Sequence, residues 1–212
     1  MISSAIGDAQ LMEEITAERK ELADLLGGLP GESWDAQTLC AGWRVRELVA
    51  HQTMPFRYST ARFATELIKS GGNFHRMADR CARRDAARPA TELLAALRDN
   101  VSNPWQPPGG GLEGALIHDV IHGLDLVVPL GIDRRVPQAR LRVVLHGITK
   151  PKALQHFGAD LDGIELHADD MDWSFGAGSR ISGAAQDLAL IVCGRKLPAG
   201  RLAGELSARI TS

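Results

Sequence analysis

The stretch ALIHDVIHGLDLVVPLG, residues 115–131, places two histidines four residues apart in an otherwise apolar run. On an α-helix, His118 and His122 lie one turn apart on the same face, with Cβ atoms about 5–6 Å apart, so both imidazoles can reach one metal ion. Asp125 continues the stripe and can accept the second N–H of a ligating imidazole. The pattern predicts a helix over about residues 112–128. It leaves two interpretations open, a metal site or a packed helix that contains histidines, because short motifs of this kind often arise by chance.

A third histidine on another helix would favour the metal interpretation, and His51 is the candidate. It lies on the apolar stripe of a second long helix, which the sequence predicts over residues 43–69. Considered alone, His51 is better explained as a core histidine whose hydrogen bonds are satisfied. Glu47, one turn earlier, is either a hydrogen-bond partner for this imidazole or a surface acid. Pro55 predicts a kink just beyond His51, because proline cannot donate to the carbonyl four residues before it.

The sequence around the histidine pair differs from that of zinc peptidases. Asp119 follows His118 where the peptidase motif has glutamate, and no third histidine follows at the spacing of that motif. A peptidase is therefore disfavoured.

The apolar pattern changes along the chain from helical to alternating. Residues 8–26 predict a first helix, and further helices are predicted after Pro89 and over about residues 137–148. Farther on, DGIELHADDMDWSFGAGSRISG alternates apolar and polar residues and predicts a β-hairpin, followed by a short helix and a last strand. The sequence therefore predicts an α+β fold with a helix bundle over residues 1–155 and a small α/β domain over residues 156–212.

The charge balance gives no sign of a nucleic-acid or membrane partner. The 212 residues include 24 basic and 26 acidic side chains, for a formal net charge of −2. Arginines between residues 76 and 88 are interleaved with aspartates, a pattern typical of a solvated helix face. No apolar run approaches the roughly 20 residues that cross a bilayer, and the first residues lack a secretory signal pattern. We therefore expect a cytoplasmic protein, monomeric or homodimeric, with no nucleic-acid or membrane partner.

The cysteines point to neither a zinc ribbon nor a disulfide framework. Cys40, Cys81 and Cys193 are widely separated and form no C-x-x-C pair. Reduced, mostly buried thiols fit a cytosolic protein. Cys40 has no histidine beside it in the sequence, and inert cysteines are the commoner case, so we leave it out of the catalytic set.

Three segments, in order, resemble one known family. SWDAQTLCAGWRVRELVAHQTM, residues 33–54, is similar to the N-terminal signature of the DinB-like, mycothiol-dependent maleylpyruvate isomerase family. IHDVIHGLDLVVPLG resembles its second signature, and LHADDMDWSFGAGSRISGAAQDLALIVCGR resembles its C-terminal domain. The resemblance covers most of the chain. It implies a metal-binding, DinB-like four-helix bundle followed by a small C-terminal α/β domain.

The resemblance also implies the site residues. The metal ligands would be His51, His118 and His122. Asp125 and Glu47 would be hydrogen-bond partners of these ligands. Isomerases of this family can carry glutamate at the position of His118, a departure that keeps metal binding but weakens the case for maleylpyruvate as substrate. Arg195 resembles an arginine that the C-terminal domain brings toward the metal cleft, where a guanidinium suits a carboxylate. Alternatively, it is a cation at a helix terminus.

These residues predict a thiol-using metalloenzyme. Three histidines leave one coordination position open, as in catalytic zinc sites, and zinc is the first choice among divalent metals. A small thiol, mycothiol by resemblance, would bind there as the thiolate and attack a small electrophilic substrate, neutral or anionic. The outcome would be isomerisation or S-transfer. The alternative is a metal-binding DinB-like protein without turnover, a sensor or a scaffold. A stress-associated nucleic-acid module is the third hypothesis, which the charge balance does not support.

Overall fold

A computed structural model describes residues 7–209 and 211 of the chain. The helices are α1 Asp8–Gly27, α2 Val45–Arg57, α3 Thr60–Lys69, α4 Phe74–Asp85, α5 Ala90–Arg98, α6 Gly111–Val127, α7 Gln138–Ile148, α8 Pro151–Phe157 and α9 Ala185–Val192. The strands are β1 Ile164–Ala168, β2 Ser174–Gly176, β3 Ser179–Gly183 and β4 Leu202–Ala203, and short 3₁₀ helices span Gly31–Asp35 and Ser207–Arg209. The fold is α+β, as the sequence predicts.

The chain forms two compact units, and the boundary between them falls inside α6. The N-terminal unit ends at His122, and the C-terminal unit begins at Gly123. The domain boundary predicted between residues 155 and 156 stays a prediction, and the terminal residues 1–6 and 212 of those two domains lie outside the described residues. Among the helices that the structure describes, none is long and apolar enough to cross a membrane.

The N-terminal unit is built from helices that pack against one another. α2 packs against α4 and α5, α1 packs against α5, and α3 packs against α4. Ile15 and Leu22 of α1, Leu48 of α2 and Leu93 of α5 are almost completely buried. Burial of this kind, at about 1.5–3 kcal/mol for each large aliphatic side chain, provides most of the stability of such a unit.

The single helix predicted over residues 43–69 is wrong, because the structure has two helices there. α2 ends at Arg57, and Tyr58 adopts an extended conformation with φ −105° and ψ 134°. The hydroxyl of Ser59 then accepts the backbone N–H of Arg62 and caps α3. A serine N-cap satisfies a donor that the first turn of a helix leaves open, so it favours a new start at this position.

The C-terminal unit contains a four-stranded sheet in the order β2-β1-β3-β4. β1 and β2 form the antiparallel hairpin that the sequence predicts, whereas β3 pairs with β1 in parallel. α9 packs against β1 and β3, and α7 packs against α9. The predicted last strand is reduced to β4 and an isolated bridge between Leu197 and Thr211. Ile210, in the same predicted strand, lies outside the described residues.

Candidate metal centre

The structure brings the three predicted ligands together within the N-terminal unit. His51 comes from α2, and His118 and His122 come from successive turns of α6. One ligand nitrogen from each ring lies within 4.8 Å of the others. The Nε2 atoms of His51 and His118 are 3.3 Å apart. His51 is buried and the other two are half-buried. That these residues bind a metal stays a prediction.

The spacing of two of the rings, those of His51 and His118, fits a tetrahedral ion. Two nitrogens that each lie about 2.0–2.1 Å from such an ion are about 3.3–3.4 Å apart, because the ligand–metal–ligand angle is close to the tetrahedral value. The Nε2 separation of 3.3 Å between His51 and His118 has this value. A direct N–H···N hydrogen bond between the rings would also explain it, provided that one Nε2 carries a proton. The chemistry of three imidazoles suits zinc, nickel, iron or copper.

His118 is hydrogen-bonded to a buried aspartate, which is in turn ion-paired with a buried arginine. Its Nδ1 is 3.0 Å from Asp119 Oδ1, and Arg19 Nε donates to Asp119 Oδ2 at 2.7 Å. The Asp119 and Arg19 side chains are only 6% and 1% exposed. Burial opposes ionisation of the carboxyl, but His118 and Arg19 hold the pKa of Asp119 below its ordinary value. Asp119 is therefore a charged hydrogen-bond acceptor at neutral pH.

Neither residue is among the site residues predicted from the sequence. Asp119 enters that prediction only as a departure from the peptidase motif, and Arg19 does not enter it. One signal was present: Arg19 lies on the apolar stripe of α1, between Ile15 and Leu22, where a charged residue needs a buried partner. The position of that partner, 100 residues away, could not be inferred from this signal.

A tight turn before α2 contacts two of the three histidines. The Cys40 Sγ lies 3.8 Å from His122 Nδ1, and the Trp43 ring centroid lies 5.1 Å from that of His51. The turn is closed by the Trp43 N–H, which donates to the Cys40 carbonyl at 2.9 Å. Gly42 occupies it with φ +74°, a conformation that favours glycine. The contact of Cys40 with His122 was not predicted from the sequence.

Trp105 forms a further wall of the cluster. Its ring centroid lies 5.4 Å from that of His118, in an edge-to-face arrangement. The side chain of Asn103 accepts the backbone N–H of Trp105 at 3.0 Å and so orders the loop before α6. Aromatic rings on two sides restrict the space around the histidines.

Glu47 lies at the start of α2. Its carboxylate accepts the backbone N–H of Arg44 at 2.8 Å and is ion-paired with the Arg44 guanidinium. Burial raises the pKa of Glu47, but the hydrogen bonds from Arg44 outweigh that effect and hold it below its ordinary value. These contacts stabilise the first turn of the helix. A role for Glu47 behind His51 stays a prediction.

Two further predicted residues pair with each other in the C-terminal unit. Arg195 donates from Nε and Nη2 to the two carboxylate oxygens of Asp125, at 2.8 and 2.9 Å. Its Nη1 donates to the Cys193 carbonyl at 3.0 Å. Asp125 is completely buried. The predicted roles, Asp125 beside His122 and Arg195 as a substrate-binding catalytic residue, stay predictions.

Comparison with known proteins bears on this arrangement. Two uncharacterized proteins from strains of Mycobacterium tuberculosis are 26% identical over 217 residues, which cover 86% of this chain and 84% of each relative. The crystal structure of a histidine-to-alanine mutant of the mycothiol-dependent maleylpyruvate isomerase matches with a TM-score of 0.65 and 13% identity, over 95% of this chain and 94% of that one. A second crystal structure of that isomerase matches over the same shares, with a TM-score of 0.56. At this identity the structural matches show a shared fold.

A family model matches part of the sequence. Residues 15–103 match the family model described as the mycothiol maleylpyruvate isomerase N-terminal domain. The matched segment contains His51 and the turn before α2, whereas His118 and His122 follow it. This segment therefore matches a model of the family that the sequence motifs resemble.

Proposed function

We propose that this chain is a metal-dependent enzyme that uses a small thiol, mycothiol, either to isomerise a small electrophilic substrate or to join that substrate to the thiol sulfur. The observation that carries the proposal is the histidine cluster with a 3.3 Å separation between two Nε2 atoms. It occurs in a fold shared with an isomerase that is described as mycothiol-dependent. The metal, the thiol and the substrate belong to the proposal.

The chain's own residues have distinct tasks in this proposal. His51, His118 and His122 would hold a divalent metal, zinc first, through one nitrogen each. A bound cation would lower the pKa of a thiol that reaches its remaining coordination position. Trp43 and Trp105 lie against His51 and His118, where they would limit the approach of water to a bound metal. A dry, shaped cleft strengthens the electrostatic effect of the cation.

The reaction would begin with addition of the thiolate sulfur to one carbon of an activated carbon–carbon double bond: the C–S bond forms, the π bond breaks, and its electron pair moves onto the neighbouring electron-withdrawing group. If the resulting single bond rotates and the electron pair returns, the double bond re-forms, the thiolate leaves and the product is the isomer. If the electron pair instead takes up the proton that the thiol released, the C–S bond persists and the product is the S-conjugate. Arg195 would hold an anionic substrate. A substrate carboxylate would accept hydrogen bonds from the Arg195 guanidinium, either in addition to Asp125 or in its place.

The first test is metal content. Purified wild type and the variants His51→Ala, His118→Ala and His75→Ala are loaded with zinc, desalted and measured by inductively coupled plasma mass spectrometry. His75 is an exposed histidine of the same unit and serves as the matched control. We expect one zinc per chain in wild type and His75→Ala, and loss of zinc in the other two. A wild type that retains no zinc contradicts the proposal.

The second test separates an enzyme from a metal-binding protein without turnover. Mycothiol is titrated into the zinc-loaded wild type and into the metal-free protein by calorimetry. We expect binding only to the zinc form, because the thiol would occupy the position that the histidines leave. Zinc binding without measurable affinity for mycothiol would overturn the thiol chemistry and favour a sensor or a scaffold.

A further inference from the structure

We propose that Asp119, anchored by Arg19, is a positioning residue that fixes the tautomer and the direction of His118. In this arrangement Nδ1 of His118 carries the proton and Nε2 presents its lone pair to His51. The inference deepens the proposed function, since it names what prepares one metal ligand. It also makes a statement about the metal-free protein, which can be tested by itself.

The two oxygens of Asp119 have different partners. Oδ1 lies 3.0 Å from His118 Nδ1, whereas Oδ2 accepts the Arg19 Nε–H at 2.7 Å. A carboxylate accepts hydrogen bonds and does not donate them, so the proton between the two side chains belongs to His118 Nδ1. The hydrogen bond made by one imidazole nitrogen decides which nitrogen is left for a metal. Nε2 is therefore the available ligand atom of His118.

This contact is not a default of helix geometry. His118 and Asp119 are neighbours on α6, and neighbouring side chains on a helix do not face each other. The carboxylate must be held toward the imidazole, and Arg19 of α1 holds it. Without that anchor, rotation of the Asp119 side chain would break the contact with His118.

Arg19 is itself fixed on two further sides. Its Nη1 donates to the Asn103 carbonyl at 2.6 Å, and its guanidinium lies 5.1 Å from the centre of the Phe56 ring. The side chain of the same asparagine orders Trp105, whose ring lies against His118. Arg19 thus connects α1 to the loop before α6. Through this connection it helps to hold both groups that contact the His118 ring, the Trp105 ring and the Asp119 carboxylate.

The first experiment reads the tautomer without metal. The protein is labelled with ¹⁵N-histidine, and the two ring nitrogens of His118 are assigned by long-range ¹H–¹⁵N correlation, with His118→Gln identifying the signals. We expect Nδ1–H in wild type and a change toward Nε2–H in Asp119→Ala. An unchanged tautomer in Asp119→Ala overturns the proposal, whatever the metal measurements show.

The second experiment measures affinity for Co²⁺ alone, by its visible absorption. We expect the Kd to rise about 10–100-fold in Asp119→Ala, as for other residues that orient a metal-bound histidine. Asp119→Asn should give an intermediate value, because the amide oxygen still accepts the Nδ1–H. Arg19→Met should shift the Kd in the same direction, since Asp119 loses its anchor.

The matched control is Asp85→Asn. Asp85 is also buried and ion-paired, with Arg57 at 2.6 Å, and accepts from Tyr58. Its Co²⁺ affinity should equal that of wild type. Equal affinities in Asp119→Ala and Asp85→Asn would overturn the positioning role, and an unchanged Kd in Arg19→Met would overturn the anchor. A wild type that binds no Co²⁺ would instead refute the proposed function, while the tautomer measurement would still decide the role of Asp119.

Discussion

Two arginine–aspartate pairs have their buried aspartate on α6, and they differ in what the carboxylate does. Asp119 pairs with Arg19 in the N-terminal unit, and Asp125 pairs with Arg195 in the C-terminal unit. Arg19 contacts one oxygen of Asp119, and the other contacts His118. Arg195, in contrast, donates to both oxygens of Asp125. The same pair of residue types therefore shares its carboxylate with an imidazole in one unit and forms a bidentate ion pair in the other.

This difference matters because buried ion pairs are poor sources of net stability. Desolvation of two charges costs about as much as their attraction returns, so such a pair is better explained by what else it positions. For Asp119 the positioned group is an imidazole of the candidate metal centre. For Asp125 it is the backbone turn after α9, since Arg195 also holds the Cys193 carbonyl.

The largest expected effect is the loss of one partner. Asp119→Ala and Asp125→Ala should each lower the free energy of unfolding by about 3–5 kcal/mol, because a guanidinium is left buried without its carboxylate. The larger loss is expected at Asp119, since Arg19 is 1% exposed and Arg195 is 22% exposed. Urea denaturation of the metal-free proteins measures both values.

The exposed pair Lys20–Asp24 on α1 provides the control for this measurement. Its side chains are 70% and 63% exposed, so Asp24→Ala should cause no measurable change. If Asp119→Ala changes the free energy of unfolding as little as Asp24→Ala does, the contrast between buried and exposed pairs is wrong. Arg19 would then be hydrogen-bonded to water or to another acceptor.

Much of the fold could be predicted from local pattern. The sequence predicts a helix over about residues 112–128, and α6 spans Gly111–Val127. The break between α2 and α3 could not be predicted in this way, because the helical apolar pattern continues across it from Phe56 to Phe63 and Leu67. Parallel pairing of β1 with β3 was also beyond the pattern, because alternation defines strand faces and not strand partners.

Of the candidate site, only the three histidines could be predicted from the sequence. Histidines four residues apart share a helix face by geometry, and the family resemblance adds His51 from another helix. The supporting contacts join residues far apart in sequence, 100 positions for Arg19 and Asp119 and 82 for Cys40 and His122. Hydrogen-bond partners at such separations depend on how the helices pack, and no periodicity in the sequence encodes them.

A smaller effect is expected when both partners of a pair are replaced by apolar residues. Arg195→Met with Asp125→Leu should regain the part of the stability that Asp125→Ala loses through the unpaired guanidinium, because no charge remains buried. Arg19→Met with Asp119→Leu should stay about 1–3 kcal/mol below wild type, since His118 Nδ1 loses its acceptor. Urea denaturation of single and double variants gives both values. Equal deficits in the two doubles would show that Asp125 also supports a polar group, as the predicted contact with His122 requires.

The smallest effect concerns the pH dependence of stability, for which one carboxylate of each unit provides a contrast. Burial raises the pKa of Asp85, but Arg57, Tyr58 and Arg84 outweigh it and hold the pKa below its ordinary value. Burial raises the pKa of Asp187 above its ordinary value, against the opposing effect of Arg201. The two carboxylates should therefore contribute to stability with opposite signs.

The sign for each group follows from linkage. Asp85, with a depressed folded pKa, stabilises the protein above its unfolded pKa of about 3.9, and this contribution is lost as the pH falls through the folded value. Asp187, with a raised folded pKa, contributes below its unfolded pKa, and the contribution is lost as the pH rises through the folded value. As the pH rises from about 3 to 7, the stability of Asp85→Asn relative to wild type should therefore fall. The stability of Asp187→Asn relative to wild type should rise over the same range. Urea midpoints across this range measure both trends, and slopes of the same sign would show that Arg201 compensates the burial of Asp187 as fully as Arg57 compensates that of Asp85.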